Sequence, residues 1–103
     1  MPEPSPAQIE EYRRSLRYVT KHGRSDVAKL AAAGLRAAEA SAIQARDERV
    51  RAGASFDEAT KHHNIVLCNG LARAVRMCAR QQKRAPREAP RRGGRARGDE
   101  LVP

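Results

Sequence analysis

Apolar residues recur with a helical period from the start of the chain. Ile9, Tyr12, Leu16 and Val19 are spaced three, four and three apart, which places them on one helix face. Ser5-Pro6-Ala7-Gln8 precedes them and reads as a capping box with proline at the first helical position. Gly23 is expected to end this helix. Ser25 or Asp26 is expected to cap a second helix, with Val27, Leu30 and Ala31 on its buried side. Ser55-Phe56-Asp57-Glu58 is another capping box and opens a helix that runs to about Lys83. Sustained apolar–polar alternation is absent and β-branched residues are few, so no strand is expected. The pattern predicts an all-α fold: a small bundle of three to four helices at about 5–22, 25–33, 36–52 and 56–83.

Whether there are three helices or four turns on Gly34. The segment Ala33 to Ser41 aligns with Ala52 to Thr60 at an offset of 19 residues, and each begins Ala-Gly. Read as a repeat, both glycines are helix stops followed by a fresh start, so Gly34 is expected to break the stretch from 26 to 52. Ala31, Gly34, Ala38, Ala42 and Ala45 give that stretch a smooth face suited to close helix approach, within the chain or across a homodimer. About seventeen large apolar residues between 5 and 83 place the core near the lower limit for independent folding, which adds to the case for a dimer.

On a helical wheel of residues 68 to 84, Leu71, Ala74, Val75 and Cys78 fall on one side. Asn69, Arg73, Arg76, Arg80, Lys83 and Arg84 fall on the other. Solvated faces usually mix signs, but no acid occurs between Glu58 and Glu88. A cationic stripe backed by an apolar anchor suits a helix that docks on a duplex. Upstream, Phe56, Thr60, His63 and Leu67 continue the apolar side, whereas Ile65 and Val66 fall on the basic side. Either 56–83 is one helix, or a turn near His63 to Leu67 shifts the register and makes helix–turn–helix.

Gly53-Ala54-Ser55, Glu58-Ala59, Asn64-Ile65 and Leu71-Ala72-Arg73-Ala74-Val75-Arg76 together resemble the helix-turn-helix of resolvase- and transposase-type DNA-binding domains. The resemblance spans residues 53–76. It departs from that pattern at Val66-Leu67-Cys68-Asn69-Gly70, where those domains place a small or polar cap. It implies DNA binding through the basic helix and no catalytic domain.

Charge strengthens this reading. The chain has 103 residues, with 21 Lys and Arg against 12 Asp and Glu, a net charge of +9 and a pI near 10.8. A GC-rich coding sequence accounts for arginine over lysine, but not for base over acid. Such a balance is the electrostatic footprint of a nucleic-acid binder. Tyr12, Tyr18 and Phe56 are the only aromatics, too few for base-stacking platforms, so duplex DNA is favoured over single strands. Arg13, Arg17 and Lys21 on the first helix are candidate secondary phosphate contacts.

From about residue 85 the composition changes to Arg, Pro and Gly with few apolar side chains. Residues 1–84 are therefore read as the helical domain and 85–103 as a disordered basic tail, with Arg91, Arg92 and Arg95 as a phosphate-screening arm.

Other chemistry is sparse. Cys68 and Cys78 are ten residues apart, with no Cys-x-x-Cys pair to support zinc. His62 and His63 read as helix residues rather than ligands. No phosphate loop, nucleophile elbow or carboxylate pair is evident, so neither an enzyme, a cofactor, a metal nor a small-molecule substrate is expected. No stretch is apolar enough for a membrane span, and the N-terminus lacks a secretory pattern, so a cytoplasmic location is expected. The sequence thus predicts a small basic duplex-binding regulator or accessory factor. The competing reading is a helical interaction or assembly protein whose charge is incidental.

Overall fold

The structure is a computed structural model describing residues 3–84. It contains three helices: α1 (Pro6–His22), α2 (Ser25–Arg51) and α3 (Phe56–Lys83). The arm proposed for residues 85–103, with Arg91, Arg92 and Arg95, lies outside the described residues.

Both capping boxes form at their serines. Ser5 Oγ accepts from the Gln8 amide and Ser55 Oγ from the Glu58 amide, each at 3.1 Å. Pro6 opens α1, where its missing N–H costs nothing. α2 starts differently from expectation. Its N-cap is Arg24, whose side chain makes no capping bond, and Asp26 accepts the Val27 amide at 2.9 Å from inside the first turn. Ser55→Ala is expected to cost about 1 kcal/mol of stability, because the Glu58 amide loses its acceptor. An unchanged urea midpoint would show that water satisfies that amide equally well.

Gly34 does not break α2, which runs unbroken for 27 residues. A β-carbon at Gly34 would lie 2.6 Å from the Ala74 β-carbon, and one at Gly70 would lie 2.9 Å from that of Ala38. The two glycines therefore let α2 and α3 approach closely at two successive points. Gly53, in the other copy of the apparent repeat, behaves oppositely. It has φ 97° with nothing near its missing side chain, so its role is conformational. There the Gly53 amide donates to the Val50 carbonyl and the Ala54 amide to the Arg49 carbonyl, a Schellman stop that turns the chain into α3.

α3 is a single helix from 56 to 83, so the turn allowed near His63 to Leu67 does not form. The displaced register that suggested it has a packing explanation. α3 meets α2 along one side and α1 along another, which widens its apolar arc beyond a single stripe. Val66 is accordingly half-buried on the α2 side.

α2 and α3 form a long antiparallel hairpin, and α1 packs along one face of it. Leu16, Leu71 and Val27 are the large, fully buried side chains. The remaining buried positions are mostly small, including Ala31, Ala38, Ala42, Ala59 and Ala74. Seventeen residues of α1 span about 25 Å, against about 42 Å for α3. α1 begins beside His63 and Asn64, where Glu3 accepts from Asn64 at 3.1 Å. The hairpin tip beyond that point has no third helix over it, which leaves Phe56 74% exposed despite its place on the apolar side of the wheel. Among the described residues no helix is long and apolar enough to cross a membrane.

Candidate nucleic-acid interface

The residues expected to touch nucleic acid fall on two helices, α1 and α3. On α3, Asn69, Arg73, Arg76, Arg80 and Lys83 are all exposed, as is Arg84 at its C-cap. Leu71, Ala74 and Cys78 are buried behind them, so the stripe is backed by core. From Asn69 to Lys83 it extends about 21 Å along a continuous helix. None of Arg73, Arg76, Arg80 and Lys83 forms an ion pair with a described residue.

The α1 set is engaged differently. Arg13 donates to Glu39 of α2 at 3.3 Å and also pairs with Glu10 at 3.7 Å. Arg17 approaches Glu10 at 3.8 Å. Arg13 thus faces the α2 side of α1, whereas the Glu10 partner of Arg17 lies within α1 itself. Lys21 is exposed near the end of α1. The fold thus uses Arg13 to fasten α1 to α2.

The C-terminal part of the stripe is held in place by a polar clasp. Arg24 binds the Asp26 carboxylate at 2.7 Å and 3.1 Å and donates to the Gln81 carbonyl at 2.9 Å. The Gln81 side chain returns a bond to Asp26 at 2.9 Å. The start of α2 is thereby tied to the last turns of α3, between Arg80 and Lys83. Hydrogen bonds from Arg24 and then Gln81 hold the Asp26 carboxyl well below the usual carboxylate range. A depressed pKa contributes stability that is complete above the ordinary aspartate value and fades as the pH falls below it. Asp26→Asn is therefore expected to reduce the loss of stability between about pH 6 and about pH 3. Parallel urea midpoints for variant and parent across that interval would argue against the clasp.

Arg36 departs from its sequence position in a telling way. With a break at Gly34, it would open the helix expected at 36–52. It lies instead in the middle of α2, and Glu39 is engaged by Arg13. The Gly34–Ala74 and Gly70–Ala38 contacts set the register of the hairpin and bring Arg36 level with Arg73 across it. No short-range signal could show this, because the register depends on residues 32 to 40 apart in the chain.

Cys68 and Cys78 are both buried and unbridged, and burial pushes both thiols up, so neither is primed as a nucleophile. No cluster of three or more metal-ligating side chains occurs among the described residues. Comparison with protein-family models, curated proteins and solved structures finds no match to this chain.

Proposed function

We propose that this protein binds duplex nucleic acid, most favourably DNA, through the exposed face of α3, and serves as a non-enzymatic regulator or accessory factor. The observation that carries this reading is the unpaired cationic stripe Arg73, Arg76, Arg80 and Lys83 on a helix anchored from behind by Leu71 and Cys78. Other exposed cations such as Arg14 and Lys29 also lack a carboxylate partner among the described residues; what sets these four apart is that they share one face of one helix. These four are kept clear of every acid among the described residues, which leaves their donors available to phosphate oxygens or base edges. An α-helix about 10–12 Å across matches the width of the DNA major groove, about 12 Å. The resemblance to helix-turn-helix domains adds the basic helix alone, since residues 56–83 contain no turn.

The test is duplex affinity measured across a salt series with single alanine variants. Arg76→Ala and Arg80→Ala should each weaken binding while helicity holds. A phosphate contact should flatten the salt slope by about one unit and weaken all sequences alike. A base contact should cost about 1–3 kcal/mol and relax preference at one position. Arg14→Ala, on the outer side of α1, is the control. Equal effects at Arg14 and Arg76 would reduce the interaction to net charge and remove the α3 interface.

A further inference from the structure

α1 covers one face of the α2–α3 hairpin. The opposite face carries an open groove of about 530 Å³ between the two long helices. Its floor is built from small residues, Gly34, Ala37, Ala38, Gly70 and Ala74, with Leu30, Val66 and Met77 along its length. From the Leu30–Met77 end to the Ser41–Val66 end it runs about 17 Å, or about three helical turns. Ala33 and Ala37 are exposed there, and Met77 is 41% exposed.

We infer that this groove docks an amphipathic α-helix of about three turns from a partner protein, with an apolar seam flanked on both sides by acids. The fold already shows the shape of such an occupant. On the covered face, α1 lays Ile9, Tyr12, Leu16 and Val19 against the same two helices.

Charge selects the occupant. On α2, Lys29 and Arg36 stand four residues before and three after Ala33, which makes them its neighbours on the outer wall. On α3, Arg73 lines the groove and Arg80 follows two turns later. The hairpin register sets Lys29 roughly across from Arg80 and Arg36 from Arg73, so cations border both sides. Acids are directed elsewhere. Between Asp26 and Asp47 the only acid on α2 is Glu39, held by Arg13 on the α1 side. α3 has none after Glu58, and Asp26 is engaged by Arg24 and Gln81. A second copy of this chain would bring the same cations against these cations in a symmetric contact, which is repulsive. An acidic helix instead pairs with both walls.

This site shares its α3 border with the duplex-binding stripe, because Asn69 and Arg73 line the groove, but its floor and its α2 wall lie outside that stripe. The probe is a synthetic, fluorescently labelled peptide of about 16 residues, with Leu and Ala at helical a and d spacing and Glu on both flanks. A twin carries Lys in place of Glu. Anisotropy should show saturable binding of the Glu peptide at least tenfold tighter than the Lys twin. Ala37→Asp should weaken it at least tenfold, and Lys29→Glu with Arg36→Glu should reverse the peptide preference. Ala33→Glu, also at an exposed position, replaces Ala37→Asp if circular dichroism shows lost helicity. Duplex affinity is read on the same variants and should fall by less than about threefold in Ala37→Asp, against at least tenfold for the peptide, so failure of one site is distinguishable from failure of the other.

Absence of saturable binding overturns the proposal. So does binding that Ala37→Asp leaves intact, which would place the peptide on the α3 stripe by charge alone. A dimer in light scattering that Ala37→Asp dissociates would assign the groove to a second copy instead. A loss of duplex affinity of about tenfold or more in Ala37→Asp would assign it to nucleic acid.

Discussion

Gly34→Val is expected to lower the stability of the domain by about 2–3 kcal/mol, a large share of what a small domain has. The cause is space, not backbone freedom. Any β-carbon at Gly34 meets the Ala74 β-carbon at 2.6 Å, and valine adds two methyl groups beyond it. α2 and α3 would have to separate, and the Gly70–Ala38 contact one turn further on would loosen with them. Gly34→Ala is milder, because about 1 kcal/mol of helix propensity is gained against the clash. Moving the methyl group across the interface, as Gly34→Ala with Ala74→Gly, should restore near-parental stability. The two propensity changes cancel and the contact regains its size. A double-mutant cycle in urea measures this, and a coupling energy near zero would mean that the helices do not touch there. A valine variant as stable as the parent would likewise show that the glycine is not a spacer.

Reversing two charges on α3, Arg76→Glu with Arg80→Glu, is expected to weaken duplex binding by roughly a hundredfold or more at moderate salt. Each change removes a cation from the stripe and sets a carboxylate against the phosphate backbone. Both side chains are exposed and point away from Leu71, so the fold should survive. The matched control is Arg14→Glu with Arg49→Glu, which changes net charge equally at two exposed positions off the stripe. A similar loss in both double variants would make binding a property of overall charge. Loss confined to the α3 pair would locate it.

Much of the fold could be read locally because its signals are local. The serine caps at Ser5 and Ser55, and the end of the last helix near Lys83, are written in short stretches of adjacent residues. Gly34 could not be read the same way. A glycine that supplies a left-handed turn and one that makes room for a neighbouring helix are the same letter, and Ala-Gly at 33–34 matches Ala-Gly at 52–53. Only the presence of Ala74, 40 residues away, distinguishes them. The α3 stripe was visible because one helix carries all of it. The engagement of Arg13 by Glu39 was not, since that pairing joins two helices. The groove required the register of two helices together, so Val66 falls on the basic side of the wheel and finds its place only beside α2.

The two buried cysteines give the molecule a built-in chemical clock. Cys68 and Cys78 are the chain's only thiols, and both sit in the core shared by the three helices. A thiol reagent can reach them only while the core is open, so its rate at low denaturant reports how often that happens. The pair also samples different depths along α3, one near its middle and the other closer to its end. Equal labelling rates would describe a domain that opens as one unit. Faster labelling of Cys78 would describe a bundle that unzips from the end fastened by Arg24, Asp26 and Gln81, with the stability of that fastening read directly from the difference.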